Sequence, residues 1–221
     1  LKSFLHEFWI KIHANSFKKH NFEQTGTQMN QVEQLKKHLK QGNVYRRNDL
    51  VKWSNAVDRH LRELLLDGTL QKLAPGLYYY PKVSAFGKTP PEDDVLVRSF
   101  LKDDRFLLTS PNDYNRLGVG TTQLYNKRTV YNHKRHGEFK LGNRIFSFQR
   151  KPSFPRHVTP EFLLVDLVNN LETLAEDQPA VLERVKEKVV DMDVKKLNNI
   201  VAHYGSVKAK KMFEPLMNPN T

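Results

Sequence analysis

Between Val57 and Leu65 the apolar residues recur at helical spacing. Val57, Leu61, Leu64 and Leu65 share one stripe at about 100° per residue, while Asn55, Arg59, Arg62 and Glu63 project from the other side. This predicts an amphipathic helix starting near Asn55, with Ser54 as its N-cap acceptor and Asp58 in the positive first turns. Leu66 breaks the stripe, so the helix is predicted to end there, with Gly68 in the left-handed cap conformation. The period then changes to two. Thr69 to Leu73 and Leu77 to Tyr80 read as extended runs around Ala74-Pro75-Gly76, a type II turn, and Pro81 ends the ladder. Upstream, Val32, Leu35 and Leu39 predict a helix closing before Gly42. Asn48 is placed to cap a short helix with Leu50, Val51 and Trp53, just after Arg46 and Arg47. Two helices, an amphipathic third and a hairpin over 31–83 are the order of a winged helix-turn-helix.

The remaining pattern predicts an α+β chain in three parts. Residues 1–30 carry Phe4, Phe8, Trp9 and Ile12 on one face, an amphipathic extension expected to dock on protein rather than lipid. Residues 84–221 form the last part. Gly87, Pro90-Pro91 and Glu92-Asp93-Asp94 predict a linker over 83–95 into a helix with Val95, Val97, Phe100 and Leu101. Phe106 to Arg150 reads as a small antiparallel sheet, with strands at Phe106-Leu108, Leu124-Asn132 and Arg144-Phe148 and turns around Asn112 to Gly120. Residues 160–214 read as a helical tail in pieces around Phe162-Leu167, Val181-Val189 and Leu197-Val201, punctuated by Pro179 and Gly205.

The formal net charge of +12 sharpens this picture, because the whole excess lies before Lys151. A polyanion partner is therefore expected in the first 150 residues. Asn55 and Arg59, neighbours on the exposed helix face, have side chains that bind adenine or guanine edges bidentately. The predicted DNA contacts are Arg46, Arg47, Lys52, Ser54, Asn55, Arg59, Arg62, Lys72 and Tyr78, the last two on the hairpin. Arginines opposite a leucine stripe are also what any solvated helix shows, and alternation equally suits tyrosines of the hairpin that pack inward. A second basic segment holds Lys127, Arg128, Lys134, Arg135, Lys140 and Arg144, interleaved with Tyr125, Tyr131 and Phe139 and opposed only by Glu138. It suits phosphate contact and base stacking, or the lysine-guarded edge of a sheet, and it carries the alternative of an RNA-binding module.

Catalytic chemistry finds little purchase. There are no cysteines, no His-Glu-x-x-His spacing and no glycine-rich phosphate loop. His133 and His136 flank two cations, which disfavours a metal, so no enzyme, metal or cofactor is expected. No apolar run reaches the roughly 20 residues of a membrane span, and a secretory segment is lacking, which leads to the expectation of a cytoplasmic protein without a membrane partner. The chain opens on Leu1, which predicts a longer gene product.

Several segments together resemble the abortive-infection antitoxins (AbiEi-like transcriptional regulators) of bacterial type IV toxin-antitoxin systems. They are Val57 to Leu65 with Asp67-Gly68, the hairpin Leu73-Ala74-Pro75-Gly76-Leu77-Tyr78-Tyr79-Tyr80-Pro81, Asn115-Arg116-Leu117-Gly118 with Thr121-Thr122-Gln123, Arg128 to Tyr131 and Leu141 to Ile145. The likeness spans roughly 31–213. It implies a winged-helix domain that binds double-stranded DNA repeats in its own promoter as a repressor. It also implies a C-terminal domain opposing a nucleotidyltransferase-like toxin without a stable complex. The family's hairpin often has arginines before its turn, where this chain has Leu73-Ala74 with Lys72 the nearest cation.

Overall fold

The computed structural model describes residues 31–217, and the predicted extension over 1–30 lies outside them. The fold is α+β, and the chain divides into two compact units between Val95 and Leu96.

In the first unit the order is α1 (31–37), β1 (Val44–Arg46), α2 (Arg47–Leu50) with a 3-10 turn at Val51–Trp53, α3 (Val57–Leu66), β2 (Gln71–Ala74) and β3 (Leu77–Tyr79). The strands form one antiparallel sheet in the order β1-β3-β2. Its core joins Val32, Leu35 and Leu39 of the first helical segment to Leu50, to the α3 stripe Val57, Leu61 and Leu64, and to Tyr45 and Tyr78 of the sheet. Leu66 is 82% exposed at the end of α3. Gly68 follows at φ +73°, which an L side chain resists, and the chain reverses so that Leu70 N–H donates to the Leu64 carbonyl at 2.7 Å. At the hairpin tip Gly76 has φ +71°, as the third residue of a type II turn requires, and its carbonyl accepts from Arg47 N–H at 2.9 Å.

Three local expectations are corrected. Asn48 lies inside α2, whose N-cap is Arg46, so Asn48 caps nothing. Ser54 precedes the N-cap of α3, Ala56, which has no side-chain cap. The 83–95 stretch is not only linker: β4 (Lys82–Ser84) and β5 (Gly87–Thr89) form a two-stranded hairpin with Phe86 wholly exposed at its tip. Lys88 Nζ ties this hairpin to the Gly68 carbonyl at 2.6 Å.

The division between the units falls within α4 (Asp93–Leu101). Beyond it come β6 (Phe106–Thr109), a 3-10 helix Pro111–Leu117, β7 (Lys127–Asn132), β8 (Gly137–Leu141) and β9 (Arg144–Arg150). The sheet order is β6-β7-β9-β8. The sheet is mixed, not antiparallel, because β9 pairs parallel to β7. Phe146 and Phe148 of β9 are fully buried, so β9 takes a central place, and β8 with its exposed Glu138 and Lys140 takes the edge. The first strand residues are also fewer than predicted. Leu124 is exposed, and the Tyr125 N–H and C=O are both bound by the Asn112 side chain, at 2.7 and 3.0 Å, in place of a strand partner.

The helical tail is corrected to a core. In α5 (Pro160–Asn170) every residue from Glu161 to Val168 is buried, the mark of a helix surrounded on all sides. It packs with Tyr114, Leu117 and Val119 and with α6 (Gln178–Val189), α7 (Val194–Tyr204) and α8 (Val207–Met217). No helix among the described residues is long and apolar enough to cross a membrane.

Candidate nucleic-acid interface

Burial of the leucine stripe turns the opposite face of α3 outward. Arg59 and Arg62 are exposed there; the helix starts at Val57 rather than near Asn55, and Asn55 is exposed in the turn just before it. Arg62 forms no hydrogen bond or ion pair within the described residues, and the nearest acceptor to the Arg59 guanidinium is His60 Nε2 at 3.5 Å. Arg47, Asn55, Asp58 and Arg59 line a shallow open depression across the start of the helix. Within it Arg47 makes a bidentate pair with Asp58, Nε to Oδ1 at 2.7 Å and Nη2 to Oδ2 at 2.5 Å. This hydrogen-bonded pair raises the Arg47 pKa and holds the Asp58 carboxyl below its usual range. Asp58 thus serves Arg47 rather than only the helix dipole. It fixes the fork of Arg47 beside the start of α3, where an incoming phosphate would compete for it.

Other predicted contacts fare differently. Lys52 is exposed, its ammonium 4.3 Å from the centre of the Trp53 ring, which stacks in turn on His38 at 5.0 Å. Lys72 is exposed on β2, and Arg46 is half-buried at the end of β1. Two candidates are withdrawn. Ser54 is buried, its hydroxyl accepting from Ala56 N–H at 3.2 Å and meeting His60 Nδ1 at 2.7 Å. Tyr78 is only 9% exposed, because alternation in β3 turns it onto the helices with Tyr45.

His60 is the residue that the sequence reading missed. It is 1% exposed, and burial, then the Arg59 charge, lowers its pKa. Neutral, it can accept from Arg59 at Nε2 and donate from Nδ1 to Ser54, a chain that ties the turn to the helix. Its place three residues after Val57 and four before Leu64 is the signal that it belongs to the buried stripe.

The second basic segment does not form one surface. Lys127 pairs with Glu138 at one end of β7. Beyond the other end Lys134 reaches Asp103 Oδ2 at 3.0 Å and the Lys102 carbonyl at 2.8 Å. The Arg135 guanidinium lies 4.6 Å from the centre of the Phe100 ring. Arg128 stands in register with buried Phe146, and Arg144 is half-buried opposite Leu141. Lys140 is exposed on the edge strand beside Ile145. Asn132 organises the turn, its Oδ1 accepting from the N–H groups of Lys134 and Arg135 at 2.8 and 2.6 Å. Among the described residues no group of three or more His, Asp or Glu is arranged to hold a metal ion.

No curated protein matches the chain. Among solved structures it is similar to the RV2827C protein from Mycobacterium tuberculosis, at 18% identity and a TM-score of 0.52, over 80% of this chain and 71% of that one. That likeness is one of fold. The model of a family of unknown function, DUF6088, matches residues 31–204, and the chain belongs to that family.

Proposed function

We propose that the protein is a sequence-specific, double-stranded-DNA-binding repressor whose first unit is a winged helix-turn-helix. The observation that carries this reading is the order α1-β1-α2-α3-β2-β3, closed by a β1-β3-β2 sheet, with Arg59 and Arg62 outward on amphipathic α3 and Asn55 exposed in the turn before it. In this reading α3 enters the major groove, Asn55 and Arg59 read base edges, Arg62, Lys52 and Lys72 meet phosphates, and Arg47 does so only by exchanging Asp58 for a phosphate. Arg46, in register with Leu77, stands beside the turn end of the β2–β3 wing.

The resemblance to abortive-infection antitoxins extends the proposal. The chain would repress its own operon from promoter repeats in the cytoplasm and oppose a nucleotidyltransferase-like toxin without a stable complex. It would act by binding, with no catalytic step. The RNA-binding alternative is less supported, because four of the six cations in the 127–144 segment are held by Glu138, Asp103 and Phe100 or stand beside buried Phe146.

The test is a titration of the full chain against duplex DNA from upstream of its own gene and against a scrambled duplex, across a salt series. The repressor reading expects the native duplex to bind at least about a thousandfold tighter at physiological salt. Equal, weak binding with the same steep salt slope would reduce the positive charge to a general polyanion surface. Tighter binding of single-stranded RNA at equal salt would move the function to the alternative.

A further inference from the structure

The second unit contains a cavity that DNA binding does not use. It opens between the end of β7, the segment after β9, α5 and the end of α7, and it holds about 150 Å³, enough for a single ring with the rest of a ligand at the open mouth. Its walls are aromatic: Tyr131, Phe154, Phe162 and Tyr204. Phe162 meets Tyr131 and Tyr204 edge-on at 6.3 and 5.9 Å, so the rings brace one another.

Asp166 also lines the cavity and is only 3% exposed. Tyr131 and Tyr114 hydroxyls donate to its two oxygens at 2.7 Å each, and Asn170 Nδ2 donates to Oδ1 at 3.1 Å. Burial raises its pKa, while the three donors and Lys151 favour the ionised form. A carboxylate has about four acceptor positions, and three are used. Replacing such a buried charge by apolar side chains is often neutral or stabilising, so the network points to a use beyond packing. Towards the mouth, Lys151 is exposed with its ammonium 5.7 Å from the centre of the Tyr131 ring. His203 Nδ1 lies 2.8 Å from the Asn199 carbonyl, so it carries the proton and Nε2 remains for a ligand.

From aromatic walls, a buried acceptor and a cation at the entrance, we infer that this cavity binds a planar ring bearing an N–H group and an anionic arm, the chemistry of a nucleotide. The ring lies against the aromatic wall formed by Phe154, Phe162 and Tyr204, its N–H edge turns to Asp166, and its phosphate meets Lys151. The same chemistry is presented by a free nucleoside monophosphate and by the phosphorylated end of a nucleic-acid strand. The inference stands independently of the DNA-binding reading, because every residue it uses belongs to the second unit, after Val95.

The test is calorimetric titration of the full chain with AMP, GMP, CMP and UMP, with adenosine and inorganic phosphate, and with a short 5′-phosphorylated oligonucleotide. At least one mononucleotide is expected to bind, more tightly than adenosine or phosphate alone. Lys151→Ala, at an exposed position, should weaken it about tenfold or more, and Lys151→Arg should restore most of the loss. Tyr204→Leu, which keeps an apolar wall without the ring, should weaken it independently of Lys151. Tighter binding of the oligonucleotide, lost in Lys151→Ala, would keep the chemistry and assign its source to a strand end. Absence of heat with all the nucleotides, binding equal to that of inorganic phosphate, or indifference to both Lys151→Ala and Tyr204→Leu would overturn it.

Discussion

The α3 face and the 127–144 segment look alike as strings of basic residues, yet the fold treats their charges differently. On α3, Arg59 and Arg62 project from a helix whose other side is clamped into the core, and among the described residues neither is in a close ion pair with a carboxylate. In the sheet, Lys127 and Lys134 have carboxylate partners and Arg135 rests on Phe100. A cation already satisfied within its own unit must give up that partner before it can neutralise a phosphate. Charge density along a sequence therefore overstates binding surface wherever acids or rings return from elsewhere in the chain.

The severest way to break this contrast is to remove what holds the α3 face out. Leu64 is fully buried, so Leu64→Ala should destabilise the first unit by about 2–5 kcal/mol. Chemical denaturation reads this directly, and a loss below about 1 kcal/mol would mean that the stripe is not the core. Next comes the face itself. Arg59→Ala should cost about 1–3 kcal/mol in binding to the specific duplex and relax preference at one base position, with stability little changed. Lys72→Ala, by contrast, should weaken all sequences alike and lower the salt slope by about one. If Arg59→Ala weakened every duplex equally, it would be a phosphate contact instead.

The sheet segment offers the opposite signature. Arg135→Ala should leave duplex affinity unchanged while removing about 0.5–1 kcal/mol of stability through the lost contact with Phe100. Equal damage to binding and no damage to stability would place Arg135 with the α3 face. The smallest effect is a pH dependence. His60 has a folded pKa lowered from 6.5 by burial and by Arg59, so the unfolded chain binds more protons between the two values. Its contribution to stability is complete above about pH 6.5 and declines as pH falls from there towards the folded pKa. Denaturation midpoints of wild type and His60→Gln over about pH 7.5 to 5 should show that slope only in the wild type.

Local periodicity made α3 legible through to Leu66, though its start lies at Val57 rather than near Asn55, and Gly68 and Pro75-Gly76 marked its cap and the following turn because those backbone angles demand them. The largely apolar stretch Phe162 to Leu167, broken only by Asp166, likewise announced a helix, though not that it lies at the centre. What stayed hidden depends on partners far along the chain or on elements too short to show a period. β1 has three residues, which cannot establish alternation. Ser54 resembled a cap because its buried use depends on His60, and Lys134 resembled a free cation because Asp103 comes from 31 positions earlier. The two cavity residues Lys151 and Asp166 both meet Tyr131, a meeting that no spacing in the sequence predicts.

The parallel pairing of β9 with β7 also governs the order in which the second unit can assemble. β8 and β9 are adjacent in sequence and close through a two-residue turn at Gly142 and Asn143, so their pairing is local and fast. β9 must then slide in beside β7, the earlier strand, and push its own hairpin partner to the outside. Until the chain has been synthesised through Arg150, β7 shows a bare edge carrying Val130 and Tyr131. During that interval an unfinished chain can recruit a strand from a neighbour, and the late arrival of β9 closes that route to aggregation.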